Sequence, residues 1–143
     1  MLWRFTTTAP AAGWFAAEFD ATAWPEGRAG FGRNDTPGAS VHTAWTSADI
    51  WVRREFELGA ARLQRPTLWI RHDEDVEVYR NGVLAAEAKG YLVEYEEMEI
   101  TPAAAATLKP GRNLIAIHCH QTGGGQYLDA GLVDLIDPPA AGR

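Results

Sequence analysis

No stretch of this chain repeats its apolar residues every 3.6 positions for long enough to build a core helix. Apolar and polar residues instead alternate over short runs, and Gly and Pro cut those runs apart. Alternation puts successive side chains on opposite faces of an extended strand, so each run can bury one face and wet the other. Trp51 to Leu58 sets Val52, Phe56 and Leu58 on one parity and Arg53, Glu55 and Glu57 on the other. Thr67 to His72 sets Leu68, Ile70 and His72 against Trp69 and Arg71. Leu114 to Gln121 sets Ile115, Ile117 and Cys119 against Ala116, His118 and His120. Asp75 to Arg80 and Val83 to Glu87 flank Asn81-Gly82, a pair suited to the positive φ angles of a type I′ hairpin turn.

Tyr91 to Ile100 predicts a strand pair or one long strand, and Gln126 to Leu135 predicts the last strand. The one helical candidate runs from Pro102 to Leu108, with Thr101 as N-cap and Pro102 as first helical residue, and stops by Pro110-Gly111. Seven or eight short strands with frequent turn signals predict an all-β fold, an antiparallel β-sandwich or a small barrel. Residues 1–136 read as one domain and residues 137–143 as a tail or linker. Phe5 to Ala48 has weak periodicity and reads as irregular chain laid over the sandwich, pinned by Trp14, Phe19, Trp24 and Phe31.

Composition removes several function classes. With 143 residues the chain can bury about two-thirds of its unfolded surface, enough for one core. Its formal charge of −6 argues against a groove that tracks nucleic-acid phosphates. No apolar run approaches the ~20 residues that cross a bilayer, so neither nucleic acid nor membrane is expected as a partner. Cys119 is the single cysteine, which excludes an internal disulfide, and no CxxC or CxxH knuckle is present. The opening Met1-Leu2-Trp3-Arg4-Phe5 lacks the apolar segment of a signal peptide. The chain therefore reads either as cytoplasmic or as a module of a longer secreted or periplasmic chain.

Five segments, in order, carry a resemblance. They are Phe19-Asp20 with Trp24, Gly27 and Gly30-Phe31-Gly32; Thr43-Ala44-Trp45 with Asp49 to Phe56; and His72-Asp73-Glu74-Asp75 leading into Val78 to Gly82. Lys109 to Asn113 with Ile115 to His118, and Gly124 to Leu132, complete the set. Together they resemble galactose-binding-domain-like jelly-roll modules of bacterial glycoside hydrolases and glutaminase-A-like proteins. Arg80 departs from the pattern, since an aliphatic residue usually precedes Asn-Gly there. His118-Cys119-His120-Gln121 is also more polar than the pattern. The resemblance implies a non-catalytic sandwich that binds sugar or acts as a spacer, beside a catalytic domain in the parent chain. It further implies a structural calcium ion, for which Asp20, Asp35, Asp49, Asp129 and Asp134 offer hard oxygen ligands.

Sugars present C–H faces that stack on aromatic rings and hydroxyl rims that bond carboxylates, guanidinium groups and imidazoles. Trp45, Trp51, Trp69 and Tyr127 are aromatic candidates, while Trp14 and Trp24 are assigned to packing. The expected ligand surface combines Trp45, Trp51, Arg53, His72, Asp73, Asp75, His118, His120 and Tyr127. Trp45 or Trp51 would be the stacking ring. Were His72, His118 and His120 to converge with Asp73 and Asp75, they could instead hold a transition metal and make a small metal-dependent enzyme. No GxSxG elbow, HExxH helix or P-loop appears, and the carboxylates from Glu94 to Glu99 read as a solvated edge. Cys119 shares the parity of Ile115 and Ile117 and reads as core. The leading expectation is a non-catalytic carbohydrate-binding module. The alternatives are a purely structural sandwich domain packing on a catalytic domain and the metal-dependent enzyme.

Overall fold

A computed structural model describes residues 2–142. The chain forms two sheets packed face to face, as the alternation requires. In chain order the elements are β1 (Leu2–Thr6), β2 (Glu26–Arg28), β3 (Phe31–Gly32), β4 (Thr43–Ala44), β5 (Asp49–Leu58), β6 (Pro66–Asp73), β7 (Asp75–Arg80), β8 (Val83–Ala88), β9 (Glu96–Glu99), α1 (Pro102–Ala105), β10 (Gly111–His120) and β11 (Tyr127–Asp134). The larger sheet runs β2-β1-β5-β10-β7-β8 and the smaller β4-β3-β11-β6-β9. All neighbouring pairs are antiparallel except β3 and β4, which run parallel.

The inward parities are those the alternation specifies. Ile50 and Val52 of β5, Ile115, Ile117 and Cys119 of β10, and Val76 and Val78 of β7 line the core from the large sheet. Leu68 and Ile70 of β6 and Leu128 and Ala130 of β11 meet them from the small sheet. Cys119 is fully buried, and burial pushes its thiol pKa up, so it packs as a small apolar residue. The β7–β8 turn has Asn81 at φ 46° and Gly82 at φ 83°, as a type I′ turn demands. Thr101 caps α1, its hydroxyl accepting from the Ala104 N–H at 3.2 Å, but the helix is only four residues long.

Two sequence expectations need correction. The stretch from Phe5 to Ala48 is not wholly irregular: it holds β2, β3, β4 and the end of β1, and Phe31 is 1% exposed in the core; β1 itself is an interior strand between β2 and β5, with Trp3 3% exposed. Five residues are too few for alternation alone to mark a strand, and pairing with β5 supplies the missing stabilisation. From Tyr91 to Ile100 only Glu96–Glu99 is strand, because only that part meets β6. The segment around Trp14 to Phe19 does lie over the sandwich as expected. Arg53 tethers it, donating from Nη1 to the carbonyls of Trp14 and Ala16 and from Nη2 to that of Phe19.

Candidate functional site

Antiparallel register assembles the candidate site on the outer face of the large sheet. Trp51 of β5 pairs with His118 of β10, which pairs with Glu77 of β7, which pairs with Glu87 of β8. One row further along, Asp49 pairs with His120 and His120 with Asp75. Residues two apart on a strand share a face, so both rows project to the same side. The Trp51 and His118 rings stack with centroids 4.6 Å apart and planes 1° from parallel. Trp14 meets His118 edge-on at 6.5 Å.

One carboxylate oxygen organises the histidines. Asp49 Oδ1 lies 2.8 Å from His118 Nε2 and 2.8 Å from His120 Nδ1. Partial burial opposes ionisation of Asp49, but the bonds from His118 and His120 outweigh it and hold its carboxyl below the usual range. Asp75 is held low chiefly by the Gly90 N–H, which donates to Oδ1 at 2.9 Å, and also by Lys89, whose Nζ lies 3.3 Å from Oδ2. Between these rows lies an open cleft of about 510 Å³, lined by His118, His120, Asp75, Glu77, Glu87 and Lys89. Its rim offers acceptors from carboxylates, imidazole nitrogens of either role and one ammonium donor.

Of the nine expected ligand residues, Trp51, His118, His120 and Asp75 come together here. The other five do not join them. Trp45 is 1% exposed in the core, its indole N–H donating to the Asp49 carbonyl at 3.1 Å, so it offers no stacking face. Tyr127 is likewise 1% exposed. Arg53 is spent on the three carbonyls of the overlying segment and is buried. His72 belongs to the small sheet, where its parity with Leu68 and Ile70 turns it inward, and its Nδ1 contacts the Glu74 carbonyl. Asp73 is 7% exposed at the end of the same strand.

The three histidines therefore do not converge, which removes the geometry on which the metal-dependent alternative stood. Among the described residues no group of three His, Cys, Asp or Glu side chains is placed to hold a metal ion. The other aspartates offered for calcium bond protein donors. Asp20 accepts from Thr22, Asp35 from Arg33 and Asp129 from Tyr95, while Asp134 accepts from the backbone of Gln64 and Arg65. Asp49, missed as a member of this site, is identifiable only through its pairing with His120. Glu77, Glu87 and Lys89 were missed for the same reason.

No protein-family model matches the chain, and no curated protein matches it. Solved structures do. A β-glucuronidase from glycoside hydrolase family 2 superposes with a TM-score of 0.61 at 19% identity, covering 86% of this chain and 13% of that one. A β-glycosidase from Bacteroides vulgatus gives 0.59 at 16% identity, covering 93% and 19%. A Ruminococcus gnavus β-glucuronidase gives 0.61 at 18% identity, covering 85% and 20%. The chain spans between 13% and 20% of these three enzymes. The likeness shows the fold: the chain is a β-sandwich whose fold matches a small portion of these family 2 glycoside hydrolase and β-glycosidase chains.

Proposed function

We propose that this chain is a non-catalytic carbohydrate-binding accessory module of a larger carbohydrate-active protein, itself secreted or periplasmic. Its sugar site is the cleft on the outer face of the large sheet. The observation that carries this reading is the Trp51–His118 stack, set beside a carboxylate-rich rim that is open to solvent. Aromatic edges and polar rims of this kind recognise a ring with both C–H and hydroxyl surfaces. Asp75, Glu77 and Lys89 take hydroxyls, while Asp49 fixes the imidazoles so that little side-chain freedom is lost on binding. A shallow site that competes with water binds weakly, with Kd between about 1 mM and 1 μM.

The placement of a sandwich within much longer glycosidase chains supports the accessory role and a catalytic partner domain. No helix among the described residues is long and apolar enough to cross a membrane. Calorimetric titration with a panel of oligosaccharides tests the reading. Saturable heat from at least one sugar, weakened tenfold or more in His118→Ala, supports it. A flat titration across the panel overturns it and favours the purely structural alternative.

A further inference from the structure

Of the six tryptophans in the chain only one is exposed, and it lies on the opposite side of the sandwich from the cleft. Trp69 is 42% exposed on the outer face of the small sheet. We propose that this face is a second carbohydrate-contact surface, selective for neutral sugar chains over uronate-bearing ones; it rests on the carbohydrate-binding reading above.

The geometry has three parts. First, the indole has open ground beside it. Trp69 pairs with Gly131 of β11, and a Cβ built on Gly131 would meet nothing within 4 Å. The absence of a side chain at Gly131 leaves the cross-strand position beside the indole unfilled. Second, a tyrosine stacks on the indole and is itself held. Tyr95 lies nearly parallel to Trp69, at 11° with centroids 6.1 Å apart. Its hydroxyl donates to Asp129 Oδ2 at 2.5 Å and shares a 2.9 Å bond with the Tyr127 hydroxyl. Rings fixed in this way lose little freedom when a ligand stacks on them. Third, acceptors border the rings. Asp129 has a second oxygen beside the one Tyr95 occupies, and Glu97 pairs with Trp69 from β9.

The charge of this face sets the ligand class. Arg71 is the only Lys or Arg in β6, β9 and β11, and it is not free. Its Nη atoms donate to the carbonyls of Gly38 and Pro37 at 2.8 Å and 2.7 Å, and its guanidinium covers the Tyr127 ring. Asp129, Glu97 and Glu99 project from the same side. A sugar carboxylate at the indole would meet the carboxylates of Asp129, Glu97 and Glu99, and the one strand cation, Arg71, is buried with both Nη atoms bound to carbonyls, whereas neutral hydroxyls would find acceptors. The Trp69 face thus suits a neutral hexose or pentose chain.

The test titrates wild type, Trp51→Ala, Trp69→Ala and the double variant. The probes are neutral cello-, xylo- and galacto-oligosaccharides and glucuronate-bearing xylo-oligosaccharides. Tryptophan fluorescence and calorimetry are recorded together. Because Trp69 is exposed, its replacement leaves the core intact. The expected result is a neutral-sugar binding event that persists in Trp51→Ala and falls at least tenfold in Trp69→Ala. That event is at least tenfold weaker for the glucuronate-bearing chains. If sugars bind but Trp69→Ala leaves every isotherm unchanged, this proposal fails while the module reading stands. Equal affinity for uronate-bearing chains at the Trp69 face would also overturn the selectivity. If no sugar binds wild type, both fall.

Discussion

Trp51 and His118, on neighbouring antiparallel strands, stack with their rings 1° from parallel and 4.6 Å apart, and Asp49 holds the imidazole of that pair from the edge. The stack is a product of register: Trp51 and His118 are direct cross-strand partners, and a one-residue slip would turn the two rings to opposite faces of the sheet.

Replacing Asp49 should therefore loosen both histidines at once. Asp49→Asn is expected to cost about 1–2 kcal/mol near neutral pH, since it removes the charge behind two hydrogen bonds. The folded-state pKa of Asp49 is depressed, so its contribution is present above the unfolded carboxylate pKa and is lost as pH falls through the folded value. Urea midpoints from pH 7 down to pH 3 would show wild type losing more stability than Asp49→Asn at the acid end. Parallel pH profiles for the two proteins would rule this out.

Asp73 behaves in the opposite sense. Burial, then the neighbouring Glu74 charge, raises its pKa to about 6 against the opposing pull of Arg71, and its Oδ1 is buried without a hydrogen-bond partner. The folded state holds this proton more tightly than the unfolded chain, so the Asp73 contribution weakens as pH rises from about 4 to about 6. Asp73→Asn should raise Tm at pH 7 and flatten the profile over that interval. A Tm at pH 7 unchanged or lowered by the substitution would count against it.

Arg80 sits 1% exposed on the inward parity of β7, where Nε and Nη2 find no hydrogen-bond partner. Burial, and then the Arg54 charge, lowers its pKa to about 9. The Phe56 ring under the guanidinium, 5.2 Å away, only partly offsets that cost. Exchange for an apolar side chain of similar length, Arg80→Met, should stabilise the fold by about 1–3 kcal/mol. Chemical denaturation decides it, and a loss of stability would show that the buried charge is compensated after all.

Arg53 reports on the overlying segment. Its three carbonyl acceptors belong to Trp14, Ala16 and Phe19, and Phe19 also lies beneath the guanidinium at 5.4 Å. Arg53→Met should cost about 2–4 kcal/mol and free residues 13–20 from the sheet. Limited proteolysis followed by mass spectrometry would find new cleavage in that segment; an unchanged fragment pattern would show that packing of Trp14 and Phe15 on Tyr79 holds it alone.

Much of the fold was legible because its signals are local. Alternation assigned the faces of β5, β6 and β10 correctly, Asn81-Gly82 marked its turn, and Thr101-Pro102 marked the start of α1. The outward parity of Trp51, Trp69, His118 and His120 followed from the same two-residue period. Local signals were weakest where strands are short, as in β1, or where length without a partner invited an overlong strand, as before β9.

The amino-acid order by itself determined which residues point to the same side of each strand, because the backbone pleat is a property of consecutive residues. Only the tertiary structure decided which strands share a sheet, and hence that His118 and His120 meet Asp49 while His72 and Asp73 lie in the other layer. It also decided that Trp45 seals the core while Trp69 faces solvent. The physical reason is that register and layering depend on contacts between residues far apart in the chain, where burying two whole faces against each other outweighs any local preference.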